Sequence, residues 1–293
     1  MPTNGQFAVG ELVTASDANT LFVRGYRNRI INGAFVINQR GYTSTTNLAS
    51  GSYGFDRWKS GFTNTALTFT AGSQATTVTI SSSGVLQQII ERENMPAGTY
   101  VLSWSGTATG RVYNSGGTPP SYAASPVTVT LDGLANVVVE FTASGGTKTL
   151  GLVQLEAGTV FSPFEYRLRG EELALCQRYF VRYVGDPTGY NAVAMPGVAN
   201  PTTTVSRGTL VLPVPMRQSP LTANVSFAAG ALNAWDGSVL ATVNSLVIYN
   251  VTGNSTTTIS VEAVLATGLN LNRPASLLTT NGVTSGLSIS LEL

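Results

Sequence analysis

Short runs rich in Thr, Val, Ile and Phe recur along this chain, parted by Gly, Ser and Asn turns at intervals of ~8–12 residues. That rhythm commits most of the chain to β-structure. Thr65–Thr70 and Thr76–Ile80 read as strands divided by an Ala-Gly-Ser turn. Thr99–Ser105 alternates, with Tyr100, Leu102 and Trp104 on one face and Val101, Ser103 and Ser105 on the other, as a half-buried strand requires. Pro126–Leu131, Val137–Phe141 and Thr149–Leu155 continue the pattern, and it resumes at Gly208–Val214, Leu221–Phe227, Ser245–Tyr249, Thr256–Val264 and Leu287–Leu293. One interior stretch breaks it. From Gly170 the order Gly-Glu-Glu-Leu-Ala-Leu-Cys-Gln reads as a helix, with carboxylates in the first turn complementing the dipole. The expected fold class is all-β: two β-sandwich, jelly-roll-like modules joined by a short helix, with a short N-terminal helix. The expected bounds are an N-terminal docking segment 1–29, a jelly-roll domain 30–168, a linker helix 169–183 and a C-terminal β-sandwich 184–293.

The N-terminal helix rests on Thr14-Ala-Ser-Asp17, a variant capping box, followed by an apolar stripe at Leu12, Ala15, Ala18, Leu21 and Phe22. A helix so short needs a surface to pack on. Its own first domain and another protein both qualify, with Leu12, Leu21 and Phe22 as the docking residues.

Charged residues make up only 11% of the 293 residues, against roughly 25% in an average globular protein. So little surface charge favours association, which burial against identical copies would satisfy. Fourteen arginines stand against two lysines, a balance suited to fixed interface hydrogen bonds. No basic patch interleaved with aromatics occurs, so nucleic acid is not an expected partner. No apolar run reaches the ~18–20 residues of a membrane span, and the N-terminus lacks the basic start and apolar core of a secretory leader. The single cysteine, Cys176, excludes an intrachain disulfide and fits assembly in a reducing cytoplasm.

The chain has no histidine, which removes Ser-His-Asp and Cys-His catalysis together with the commonest transition-metal ligand. Cys176 sits beside Leu173, Ala174 and Leu175 and reads as a buried structural thiol. Glycan cleavage needs paired carboxyls. Glu91 and Glu93 would share a strand face, although a solvated or Arg-paired strand end before the Met95-Pro96 turn accounts for them better. Neither catalysis nor a cofactor is expected.

Several motifs carry resemblances. Gln154-Leu-Glu156, the turn Pro163-Phe-Glu-Tyr-Arg167 and Gly170-Glu-Glu-Leu-Ala-Leu-Cys-Gln-Arg-Tyr-Phe180 resemble a join found in tailed-bacteriophage virion proteins, typically tail fibres and related host-recognition proteins. The opening Phe7 to Asn19 and the run Leu212-Pro-Val-Pro-Met-Arg-Gln-Ser-Pro220 resemble other segments of such proteins. Two prolines in that run exclude a central strand and place it at an edge or a subunit contact. Ile31-Asn-Gly-Ala-Phe35, Tyr53-Gly-Phe-Asp-Arg-Trp58, Leu86-Gln-Gln88, Gly98-Thr-Tyr-Val-Leu-Ser-Trp104 and Gln154-Leu-Glu156 follow an order similar to carbohydrate-binding-module-like jelly rolls. Many of those modules place an acidic residue after the N-G-x-F aromatic, where it helps to hold a structural calcium. Val36 stands there in this chain, so no metal is carried over.

The resemblances imply a structural component of a tailed-phage virion, assembled in the host cytoplasm. Its expected partners are other virion proteins through the N-terminal segment, two further copies in a homotrimer, and host surface polysaccharide, without membrane insertion. A trimeric tail fibre binding cell-surface glycan leads the readings. A capsid-decorating head fibre with no specific receptor and a glycan depolymerase remain open. Sugar rings stack on exposed aromatics while polar side chains bind the hydroxyls. The candidate ligand-binding residues are Trp235 with Asp236 in Asn233-Ala-Trp-Asp-Gly237, and Tyr113 and Tyr122, which bracket a polar, Pro-rich loop. Trp58 and Trp104 are expected in the core.

Overall fold

The computed structural model describes residues 26–44, 47–62, 64–81, 84–184, 189–190, 192–194, 201–248, 255–280 and 286–293. The expected N-terminal helix, with Leu12, Leu21 and Phe22, lies outside the described residues. The chain divides into two units, Met1–Glu172 and Leu173–Leu293. The division falls inside α1 (Arg169–Gln177), the single α-helix among the described residues.

The first unit is a sandwich of two antiparallel sheets. Its strands are β1 (Asn47–Leu48), β2 (Lys59–Ser60), β3 (Thr65–Ala71), β4 (Thr76–Ile80), β5 (Val85–Ile90), β6 (Gly98–Gly106), β7 (Thr109–Asn114), β8 (Val127–Leu131), β9 (Val137–Thr142) and β10 (Lys148–Ala157). One sheet runs β1-β3-β4-β10-β6-β8 and the other β2-β5-β9-β7. Alternation decides what each face does. Leu67, Val78, Leu102, Val139 and Phe141 turn inward to one buried core with Trp58 and Trp104, as their strand patterns require. Phe35 packs on Trp58 at 4.8 Å between ring centroids, and Trp104 meets Phe141 edge-on at 5.0 Å.

The second unit is built from β11 (Phe180–Tyr183), β12 (Ala192–Ala194), β13 (Val205–Val211), β14 (Val225–Ser226), β15 (Leu232–Trp235), β16 (Leu240–Ile248), β17 (Thr258–Leu265), β18 (Ser276–Thr279) and β19 (Leu287–Ser290). A three-stranded sheet, β11-β19-β14, shares one core with a six-stranded sheet, β12-β18-β15-β16-β17-β13. The edge strands β12 and β13 lie against each other, so the larger sheet curls toward closure.

Two local expectations need correction. The helix stops at Gln177, and Phe-Val-Arg-Tyr at 180–183, all but one of them β-formers, is a strand paired with β19. Leu221–Phe227 is mostly not strand: Asn224 accepts the Leu221 N–H at 2.8 Å and closes a 3-10 turn, leaving Val225–Ser226 to pair. Pro213 and Pro215 follow the edge strand β13, where a missing donor breaks no ladder.

The motif residues of the first unit converge on one latch. Arg167, whose side chain is 3% exposed, donates to the carbonyls of Asn28 and Ile30 and to both carboxylate oxygens of Glu172. Glu172 in turn accepts the Asn32 N–H at 2.5 Å, and Glu165 accepts the N–H groups of Arg27 and Asn28. Asn32 adopts a left-handed φ of 59°; its side chain binds Ile37 and Asp56, and its carbonyl accepts the Trp58 indole. The Gln88 amide pairs with both backbone groups of Ile31, acting as a substitute strand. Gly33 has no substitute, because a Cβ there would stand 2.1 Å from the Val153 carbonyl oxygen. The residues that carry the jelly-roll resemblance are therefore largely structural. At Val36 the backbone carbonyl accepts Arg169 at 3.1 Å, and this pairing of a guanidinium with a residue lacking a carboxylate does not suit calcium.

Arg167→Ala leaves Glu172 and two carbonyls without their cation. It is expected to destabilise the first unit by about 3 kcal/mol or more, read as a shift in the urea midpoint, while a charge-free control at exposed Leu168 changes little.

Candidate functional site

Two surfaces gather the predicted ligand-binding residues, one in each unit. The first is the outer face of the sheet β2-β5-β9-β7. In Val-Val-Val-Glu-Phe-Thr at 137–142, the core claims Val137, Val139 and Phe141, so Glu140 must face outward. Strand register then sets Gln87 of β5 on one side of it and Arg111 of β7 on the other, with Lys59 of β2 beyond Gln87. An isolated bridge between Gly110 and Ala123 brings the segment after the Pro-rich loop back along β7, which lays Tyr122 beside Arg111.

The cluster is tightly bonded. Arg111 Nε donates to Glu140 Oε2 at 2.7 Å, and the Tyr113 hydroxyl donates to the same oxygen at 3.1 Å. The guanidinium sits 4.1 Å from the Tyr122 ring centroid and 5.4 Å from that of Tyr113, and its Nη1 donates to the Pro120 carbonyl. Both donors meet Oε2. The other oxygen, Glu140 Oε1, is buried with no hydrogen-bond partner among the described residues. Burial first, then the Glu140 charge, pushes the hydroxyls of Tyr113 and Tyr122 up to about 12.

The second surface surrounds Trp235, which ends β15 and precedes the turn 236–239. Asp236 points into that turn and is buried. Its Oδ1 accepts the N–H groups of Ser238 and Val239 and the Ser238 hydroxyl; its Oδ2 accepts the N–H and the side-chain amide of Asn270. The backbone donors, led by Val239, hold its carboxyl well below the usual carboxylate range. The turn therefore consumes the hydrogen-bonding capacity of Asp236 and leaves Trp235 as the displayed group.

Glu91 and Glu93 do not share a strand face. β5 ends at Ile90, residues 92–94 form a 3-10 turn, and Glu93 pairs with Arg92 at 3.0 Å. Cys176 is buried. No helix among the described residues is long and apolar enough to cross a membrane. Arg111 and Glu140 escape a reading of the sequence alone because their partnership is set by register between β7 and β9. The visible signal is shared parity, since Arg111 and Tyr113 fall on the face opposite core Val112.

Two pH predictions follow from opposite signs. Asp236, with a lowered folded value, contributes stability that is fully present at neutral pH and is lost as the pH falls below its ordinary value of 3.8. Thermal melts of the wild type and Asp236→Asn should differ at pH 7 and converge in acid. Tyr113 and Tyr122, with raised folded values, stabilise fully below pH 10 and progressively less as the pH rises toward about 12. Ultraviolet titration of Glu140→Gln should show both hydroxyls ionising at lower pH than in the wild type.

No protein-family model matches the chain, and no curated protein matches it. Among solved structures it is similar to TmCBM61, determined in complex with β-1,4-galactotriose, at 15% identity and a TM-score of 0.28, covering 45% of this chain and 100% of that one. It is similar to the enzymatically active domain of bacteriophage CBA120 tailspike protein 4 at 13% identity and a TM-score of 0.29, covering 45% of this chain and 22% of that one. The tandem CBM22-1–CBM22-2 domain of Paenibacillus barcinonensis Xyn10C is matched at 11% identity and a TM-score of 0.24, over 86% of this chain and 97% of that one.

Proposed function

We propose that this chain is a non-catalytic component of a tailed-phage particle, a homotrimeric tail fibre or similar host-recognition protein that binds surface glycan. One observation carries the binding reading. Glu140 Oε1 is a buried carboxylate oxygen without a donor among the described residues, in a cluster that includes an arginine and two tyrosines. An acceptor left unsatisfied costs ~1–3 kcal/mol, and a ligand hydroxyl donating to it removes that penalty. Tyr113 and Tyr122 supply ring faces for a sugar, and Arg111 and Gln87 supply donors on either side of Glu140. The virion reading rests on the resemblance of the 154–180 join and the 212–220 run to phage appendage proteins, and the low charge content fits burial between copies.

The test is a glycan array probed with the full chain. Tyr122→Ala, at a partly buried ring, should weaken the strongest glycan at least tenfold in a chain that still unfolds cooperatively; unchanged binding sinks the assignment of this face. Sedimentation should give a particle of about three times 30.6 kDa, and a stable monomer at micromolar concentration refutes the trimer. In a cryo-EM map of the virion, density at the tail supports host recognition, and density on the shell replaces it with capsid decoration.

A further inference from the structure

Trp235 is displayed on a mount that is already rigid. The ring is 46% exposed, and its cross-strand neighbours are Leu240 of β16, 43% exposed, and Ser276 of β18. Directly opposed residues of an antiparallel pair share a face, so Trp235 and Leu240 form an apolar platform outside the core that holds Ala234 and Ala241. The Asp236 carboxylate fastens the turn 236–239 to Asn270. That fastening brings in Arg273, which donates Nη1 to the Ser238 hydroxyl at 3.1 Å.

Arg273 is exposed, and no carboxylate among the described residues forms an ion pair with it. Asp236, which shares Ser238 with it, is already saturated by its own donors. The turn 236–239 thus joins a displayed indole and a leucine at its ends to a cation bonded at Ser238 that has donors to spare. A neutral hexose would use the ring and hydrogen-bond the guanidinium without using its charge, and an apolar peptide would leave the guanidinium idle. Polyphosphate or nucleic acid would call for further cations, and none accompanies Arg273 in this turn. A pyranose bearing a carboxylate satisfies both halves: its C–H face stacks on the indole, and its anionic group takes a charge-assisted pair from the guanidinium.

We propose that the Trp235–Arg273 surface of the second unit is a separate saccharide site selective for acidic, uronate-bearing glycans. It shares a ligand class with the reading of the first unit but uses none of its residues.

Intrinsic fluorescence of the full chain is a direct probe, because Trp58 and Trp104 are buried and Trp235 is the exposed indole. Oligoglucuronate and oligogalacturonate should shift the emission, and a neutral gluco-oligosaccharide of equal length should bind at least tenfold more weakly. Calorimetry should show the acidic ligand lost in Trp235→Ala and retained in Trp235→Phe. Arg273→Gln should bring the acidic-to-neutral ratio close to one, and added salt should weaken the wild type toward the same value. Uronate binding that survives Trp235→Ala, a preference unchanged in Arg273→Gln, or no binding of either oligouronate at millimolar concentration overturns the proposal. If uronate binding is instead abolished by Tyr122→Ala, the ligand belongs to the first unit; the second site then falls while the proposed function stands.

Discussion

A guanidinium taken out of water needs acceptors, and Arg167 finds them for Nη1 and Nη2 in two backbone carbonyls and the carboxylate of Glu172. The arrangement is worth little as a pair of charges, since desolvation offsets most of the attraction. Its value is geometric. It holds the strand-like segment 27–32 against β10, and from there Asn32 sets Ile37, Asp56 and Trp58 in place. The position of Trp58 then governs the aromatic core through Phe35 and Phe141. Without the latch, segment 27–32 would keep its bonds to β10 and to Gln88 of β5 but lose those to residues 165–172.

The strand rhythm was legible because alternation is local. Thr76–Ile80 could be bounded to the residue, and Tyr100, Leu102 and Trp104 could be assigned inward, from a few consecutive side chains. The latch was not legible. Asn32 and Glu172 lie 140 positions apart, and nothing near either residue signals the other. The first-turn glutamates look like dipole complements, yet Glu172 works as an acceptor for a distant backbone. β5 was hidden for a related reason. Gln87 and Gln88 interrupt an apolar run, one facing Glu140 and the other replacing a missing strand against Ile31.

The candidate surfaces divide along the same line. Tyr113 and Tyr122 stand out because they bracket a loop too polar for a core, and Trp235 because it neighbours Asp-Gly. Their polar companions became visible only with register in hand. Arg111 meets Glu140 because β7 and β9 pair as they do, and Arg273 reaches the Trp235 turn because Asn270 is tied to Asp236. Asp236 shows how residue type misleads: an aspartate beside an exposed indole suggests a contact for sugar hydroxyls, but all its capacity goes to backbone and side chains of its own loop.

The latch also has a mechanical meaning. Residues 27–32, near the start of the described part of the first unit, and residues 165–172, at its C-terminal end, are bonded to each other directly. A pull transmitted along the polypeptide would therefore be shared between Arg167, Glu165 and Glu172 and the bonds that tie Asn28 to β10 and Ile31 to β5. These polar bonds, and not the strand ladders alone, close the first unit where its two ends meet.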